Sequence, residues 1–312
     1  MGVRESPGGD HLTVMSTETA FNAYEAVRHR LPVVEPSGAG FQRVATLADI
    51  ADAFDVFLLD AFGVLNIGEA AIPGTPERIA NLKAAGKRVL VVSNAAGFPH
   101  AALMEKYTRL GYEFAPEDVI TSRVTLLAGL NGRQNLHWGL MATRSTGLRD
   151  LENLTLTYLE EDPAAYDAVE GFLLVGSAAW TEERQALLES ALKARPRPVL
   201  VGNPDIVAPR ETGFSVEPGH FAHRLADRTG ISPEFYGKPF PDIFDLAFKR
   251  LGDTDRSRVV MVGDSLHTDI LGARNVGIAS ALIAEYGFFA GQDAEKAVLA
   301  TGIVPDFIVE RP

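Results

Sequence analysis

Asp60 is the residue in this chain whose placement most invites chemistry. It ends the run Phe57-Leu58-Leu59-Asp60-Ala61-Phe62-Gly63. Phe54 to Leu59 is apolar apart from Asp55, about the length of a fully buried strand, and Gly63 then breaks the pattern. Asp60 therefore falls where strand becomes loop, and in open α/β sheets the carboxyl ends of strands are where ligands bind. A carboxylate so placed can attack phosphorus and carry a phosphoryl group as an acyl phosphate.

Two further apolar runs deliver polar residues of complementary kinds. Arg88 to Val92 leads into Ser93-Asn94, and Arg258 to Val262 leads into Gly263-Asp264-Ser265-Leu266-His267-Thr268-Asp269. Between them lies Gly237-Lys238-Pro239, just before a helical stretch from Asp242 to Arg250. One nucleophilic carboxylate, a hydroxyl beside an amide, a lysine and a carboxylate pair five residues apart are what phosphoryl transfer needs. Carboxylates hold a hard divalent cation such as magnesium. The lysine and the cation offset charge on the transferring group, and the hydroxyl and amides hold its oxygens. Each piece also has an ordinary use: Ser93-Asn94 as a turn, Lys238 as a solvated loop lysine, and Asp264, Ser265 and Thr268 as helix caps. Their joint occurrence, in this order and after strands, favours the chemical reading.

These residues resemble the motifs of the haloacid dehalogenase (HAD) superfamily. Asp60 matches the first-motif nucleophile, Ser93 the second-motif hydroxyl and Lys238 the third-motif lysine. Asp264 and Asp269 match the acids of the Gly-Asp-x-x-x-x-Asp fourth motif. Ile72-Pro73-Gly74, Ser93-Asn94, Gly202-Asn203-Pro204-Asp205, Glu217-Pro218-Gly219 and Gly237-Lys238-Pro239 are similar to features of subfamily IIA, the NagD-like phosphatases. The resemblance runs from about Asp55 to the C-terminus. It implies a magnesium-dependent hydrolase acting on a small phosphorylated metabolite, with Asp60, Ser93 and Lys238 catalytic. It implies Ser93, Asn94 and Lys238 at the phosphoryl group, and Asp60, Asp264, Asp269 and the Phe62 carbonyl at the metal. Asn203 and Asp205 follow a strand and precede a loop, which places them to face the core site from a cap; the same residues would equally make an Asn-Pro-Asp turn. A homodimer is compatible with the resemblance.

One position departs from it. Typical members read Asp-x-Asp, the second aspartate being the general acid/base, and here that position is Phe62. General acid–base help is worth roughly a hundred- to ten-thousand-fold, so turnover should be slow unless another group serves. His267 and Glu69 are the nearest candidates in sequence, and histidine titrates near neutral pH. Phe62 also suggests two other readings. Dehalogenases of the superfamily carry an aromatic residue there and displace halide without a metal; the paired Asp264 and Asp269 argue against that. A degenerate member that binds a phosphorylated ligand without turnover is the other.

The elements that must position these residues read as an α/β fold, a Rossmann-like parallel-sheet HAD core with an inserted α/β cap of the C2 type. The expected divisions are 1-43 as an N-terminal extension, 44-134 and 232-312 as core, and 135-231 as cap. In the core, strand Phe57–Leu59 precedes a helix from about Thr75 to Ala85, with Pro76 in its first turn and Gly86 as its stop. Strand Val89–Val92, a helix from His100 to Leu110, strand Val259–Val262 and strands Ala279–Ile283 and Phe307–Val309 follow the alternation that builds parallel sheets. Within the cap fall strands near Leu154–Leu159, Ala168–Val175 and Val199–Val201 and a helix Thr181–Arg195. Thr19 to Arg30 and Val44 to Phe54 read as short helices, and Met1 to Ser16 as mobile.

Composition sets outer limits. The chain has 312 residues, enough for two domains, and 46% of them are hydrophobic. No run of about eighteen apolar residues appears, so no spanning helix is expected, and none of the first 35 residues forms a signal-peptide core. A myristoylation-like pattern in Met1 to Ser6 is too short to weigh. The absence of cysteine removes disulfides, thiolate zinc sites and cysteine nucleophiles and fits a reducing cytoplasm. The formal charge of −12 argues against nucleic acid as a partner. It leaves room for a small phosphorylated substrate, because a local lysine and a metal supply positive potential.

Overall fold

The computed structural model describes residues 15–35, 40–210 and 213–312. The mobility expected of Met1 to Ser16, and the pattern in Met1 to Ser6, lie outside the described residues for all but Met15 and Ser16. The central element is a seven-stranded parallel sheet. Its order is Gln42–Thr46, Phe307–Arg311, Ala279–Ile283, Val259–Gly263, Val56–Leu59, Arg88–Ser93 and Val119–Thr121. Val56–Leu59 is near-continuously apolar because it sits inside the sheet and is covered on both faces. Phe57 and Leu59 pack with Val91, Val260 and Val262 on one face, and Val56 and Leu58 with Leu90, Val92 and Met261 on the other. That period of two puts Asp60 at the sheet's carboxyl edge.

A second parallel sheet has the order Glu234–Phe235, Val199–Val201, Gly171–Leu174, His137–Met141 and Thr155–Tyr158. The structure thus has the Rossmann-like core and additional α/β sheet that the sequence suggests. This second sheet also takes in Glu234–Phe235, past the expected limit at 231. Its helices are Pro163–Ala168, Glu182–Ala194 and Pro218–Thr229, and Trp138 at 0% exposure is part of its packing. Helix Glu182–Ala194 begins where the Thr181 hydroxyl accepts the Arg184 N–H as an N-cap. Strand His137–Met141, helices Pro163–Ala168 and Pro218–Thr229 and the antiparallel hairpin Val207–Pro209 with Phe214–Val216 go beyond the sequence expectation.

The N-terminal segment differs from expectation in one part. Thr17–Ala26 is a helix, capped by Ser16, as the spacing of Phe21 and Tyr24 suggests. Gln42–Thr46, half of it expected to be helical, is an edge strand paired in parallel with Phe307–Arg311, and the helical turns begin only at Leu47. Its alternation of exposed and half-buried residues is that of an edge strand, and its partner lies at the far end of the sequence. No helix among the described residues is long and apolar enough to cross a membrane.

Candidate active site

Three neighbouring strands of the core sheet, Val259–Gly263, Val56–Leu59 and Arg88–Ser93, deliver Asp264, Asp60 and Ser93 to one edge. Lys238 comes from the chain between the second sheet and helix Pro241–Leu251. It is buried, and its Nζ lies 2.7 Å from Asp60 Oδ1 and 2.7 Å from Asp269 Oδ1. One oxygen from each of Asp60, Asp264 and Asp269 falls within 4.8 Å of the others. Asp269 sits in the wide helical turn Leu266–Ile270, and its Oδ2 accepts the N–H groups of Asp264 and Ser265, both at 3.1 Å. The Asp264 carboxylate accepts the Phe288 N–H at 2.7 Å. It lies in a cradle only glycine can line. Gly63 (φ +72°) and Gly287 (φ +74°) would place a Cβ 2.5 and 1.9 Å from Asp264 Oδ2.

The electrostatics follow from burying three carboxylates with one ammonium. Burial, reinforced by Asp269, raises Asp60 to about 6 despite the lowering by Lys238. Burial and then the charges of Asp60 and Asp269 push Asp264 well above the usual carboxylate range. Burial alone would lower Lys238, but Asp269 and Asp60 more than offset it and hold it charged. The set carries an uncompensated negative excess in a low-dielectric place, which is costly. A hard divalent cation with oxygen ligands is the group this donor set fits. The glycine cradle and the Asp264 tether leave the carboxylate fixed for it.

The cluster opens into a cavity of about 480 Å³ between the two sheets, lined among others by Asp60, Phe62, Ser93, Lys238, Asp205 and Glu217. Ser93, Asn94, Asn203, Asp205 and Lys238 all reach it, although they lie up to 145 positions apart in sequence (93 to 238). Their freedom differs. The Asn94 amide is fully used: Nδ2 donates to Asp205 Oδ1 (2.7 Å) and the Lys238 carbonyl (2.9 Å), while Oδ1 accepts from the Lys238 N–H (2.8 Å) and Ser122 (3.0 Å). Asn203 donates to Glu217 and accepts the Asp205 N–H. Both side chains help weld the site together; the Asn94 amide is fully committed, whereas Asn203 keeps one amide N–H without a partner among the described residues.

The Phe62 ring lies between two cations, Lys106 Nζ at 5.2 Å and Arg210 Cζ at 5.3 Å from its centroid. Of the two residues considered as its substitute, His267 is buried and does not line the cavity; it contacts Glu25 at 2.5 Å and stacks on Tyr24 at 5.0 Å. Burial lowers its affinity for a proton, partly offset by Glu25. Glu69 stands at the rim with an exposed side chain, held charged by hydrogen bonds from Lys106 and Arg109. Neither is placed for the task.

Sequence reasoning does not single out Tyr24, Arg210 or Phe288 as site residues. Tyr24 comes from helix Thr17–Ala26, lines the cavity, and accepts the Ile206 N–H at 3.2 Å. Only its helical spacing is visible in the sequence. Glu217 is visible there only as part of Glu-Pro-Gly. In the structure it accepts from Arg210, Ser215 and Asn203 beside the cavity, and burial raises its pKa.

An α/β hydrolase core whose strand ends gather an aspartate, a lysine and a second acid pair is the class that fold and site define. The description "haloacid dehalogenase-like hydrolase" matches residues 57–150, and "HAD-hydrolase-like" matches 235–311. The glycerol-3-phosphate phosphatase of Gallus gallus is 31% identical over 300 residues, covering 85% of this chain and 91% of that protein. The chain belongs to the haloacid dehalogenase-like hydrolases. Among solved structures, a "possible sugar phosphatase, HAD superfamily" from Cytophaga hutchinsonii superposes with a TM-score of 0.77 at 24% identity, covering 87% of this chain and 98% of that one. A glycerol phosphate phosphatase from Mycobacterium tuberculosis, in complex with magnesium, does so with 0.66 at 24%, covering 83% and 75%.

Proposed function

We propose that this chain is a magnesium-dependent phosphatase that hydrolyses a small phosphorylated metabolite through an aspartyl phosphate on Asp60. The observation that carries the reading is Asp60 held 2.7 Å from a buried Lys238 within a three-carboxylate cluster that opens into a cavity. The relatives from Gallus gallus, Cytophaga hutchinsonii and Mycobacterium tuberculosis are described as glycerol phosphate or sugar phosphatases, which supports the substrate class.

Asp60 attacks phosphorus. The bond from its oxygen to phosphorus forms as the ester oxygen leaves, and water then cleaves the acyl phosphate to inorganic phosphate and free Asp60. Lys238 offsets charge on the phosphoryl oxygens, and the Ser93 hydroxyl holds one of them. Asn94 and Asn203 act by fixing Lys238, Asp205 and Glu217. Asp60, Asp264 and the Phe62 carbonyl would hold the cation. Asp269, with both oxygens engaged, orients Lys238 and the loop that carries Asp264. A bound magnesium ion supplies further positive charge at the transferring group. The segment 135-231, with its sheet completed by Glu234–Phe235, acts as the cap over the core at 44-134 and 232-312, and encloses the acyl phosphate. A cytoplasmic site of action and a homodimer complete the proposal.

Phe62 favours a second reading, ligand binding without turnover. Phosphate release from glycerol phosphates, sugar phosphates and 4-nitrophenyl phosphate, with magnesium and with chelator, separates the two. Magnesium-dependent release that disappears in Asp60→Asn supports the phosphatase. Binding of these esters with no release from any of them sinks it in favour of the second reading. Halide release from haloacids without magnesium would sink both.

A further inference from the structure

We infer that Asp205 is the general acid/base of this site, in the place that Phe62 leaves empty. The inference rests on the phosphatase reading. It stands on how the ionisable groups around the cavity are committed. Asp60 is the nucleophile, and Asp264 is gripped by the Phe288 N–H within its glycine cradle. Glu217 has both oxygens occupied, Oε1 by Arg210 and Ser215 and Oε2 by Asn203. Glu69 is exposed and paired to two cations, and Glu105 is exposed on helix His100–Arg109.

Asp205 differs from all of these. Its Oδ1 accepts from Asn94 at 2.7 Å, and its Oδ2 has no hydrogen-bond partner among the described residues. Asn94 in turn takes the Lys238 N–H, and the Lys238 ammonium reaches Asp60. One amide and one lysine therefore tie Asp205 to the nucleophile across 145 positions (60 to 205), with both carboxylates on the wall of one cavity. The loop that carries it is pinned from three sides. Asn203 Oδ1 takes the Asp205 N–H at 3.0 Å, the Asp205 carbonyl takes the Gly219 N–H at 3.0 Å, and Tyr24 takes the N–H of the next residue, Ile206.

The groups that set its proton affinity are Asp60 and Glu217, which favour the protonated form, Lys238 and Asn94, which oppose it, and the uncharged Tyr24 beside it. Burial and the two carboxylates prevail and push Asp205 well above the usual carboxylate range. A carboxyl whose environment favours the protonated form is what a departing ester oxygen needs. As the bond from phosphorus to the ester oxygen breaks, the Asp205 proton passes to that oxygen and the alcohol leaves. Asp205, now a carboxylate, takes a proton from the water that attacks the aspartyl phosphate, and is restored.

The test uses esters whose leaving groups differ in their need for a proton. Asp205→Asn keeps an acceptor for Asn94 but no acid. It should lower kcat on glycerol phosphate by about a hundred-fold or more. On 4-nitrophenyl phosphate, whose phenolate departs unprotonated, it should lose less than about ten-fold. Phe62→Asp added to Asp205→Asn should restore turnover of the glycerol ester, and by a larger factor than Phe62→Asp raises it in the wild type, which a merely structural role of Asp205 would not produce. Equal losses on both esters, undiminished rates on both, or no rescue by Phe62→Asp would overturn the inference while leaving the phosphatase reading intact. Wild-type protein that releases phosphate from neither ester overturns both.

Discussion

Removing the nucleophile should stabilise the metal-free protein. Asp60 has a folded pKa of about 6 against 3.8 for an ordinary aspartate, because burial and Asp269 outweigh the attraction of Lys238. Between those two values the folded chain binds more protons than the unfolded one, so stability falls as pH rises through that window. The loss attributable to Asp60 is absent below about pH 4, complete above about pH 6, and amounts to about 3 kcal/mol. Asp60→Asn carries no such penalty. In chelator the two proteins should be about equally stable at pH 4, and the variant about 3 kcal/mol more stable at pH 7.5. Urea denaturation of both across this range reads the difference, and subtraction removes the contributions of carboxylates that do not interact with Asp60. Magnesium should then raise the stability of the wild type more than that of the variant, because the penalty is the excess negative charge that a cation offsets. A difference that does not change with pH in chelator, or equal stabilisation of both proteins by magnesium, would refute the reasoning.

The geometry carries three further expected outcomes. Lys238→Met leaves Asp60 and Asp269 without their shared cation; phosphate release should fall at least a hundred-fold, and stability in chelator at neutral pH by about 3–5 kcal/mol, read by denaturation. Gly287→Ala drives a Cβ into Asp264 Oδ2 at a left-handed backbone position, so titration calorimetry should show magnesium affinity reduced about ten-fold or more, as expected when a ligand's support is disturbed. Tyr24→Ala removes a ring that is 2% exposed and stacked on His267; it should cost about 3–5 kcal/mol in urea denaturation, with activity falling because the Ile206 N–H loses its acceptor.

Much of the catalytic edge is legible from local signals. Asp60, Ser93 and Asp264 each come after a short apolar run, and a parallel strand buried on both faces has little choice but to look like one. Lys238 is legible from its neighbours Gly237 and Pro239 and the helix after them. The strand Gln42–Thr46 is not, because an edge strand with one exposed face carries little apolar signal and its partner, Phe307–Arg311, is remote in sequence. His267 looks like a cavity residue in the sequence and is not one. Its place in the Asp264 loop is readable, but the direction of its ring depends on the docking of helix Thr17–Ala26, which supplies Glu25 and Tyr24.

The sequence alone determined the residue types of the site, their order, and the loss of a carboxylate at Phe62, because these depend only on the few residues at the end of each strand. Tertiary structure alone decided which groups are free to act. Asn94 resembles a ligand-binding amide in the sequence and is consumed by contacts to Lys238 and Asp205, while Asn203 is only partly committed, to Glu217 and the Asp205 N–H. Asp205 reads equally as a residue facing the site and as part of a turn; the structure shows one of its carboxylate oxygens without a hydrogen-bond partner among the described residues in the catalytic cavity. The physical reason is that hydrogen-bond commitment and desolvation are set by neighbours brought together across a hundred or more residues, and no local pattern encodes them.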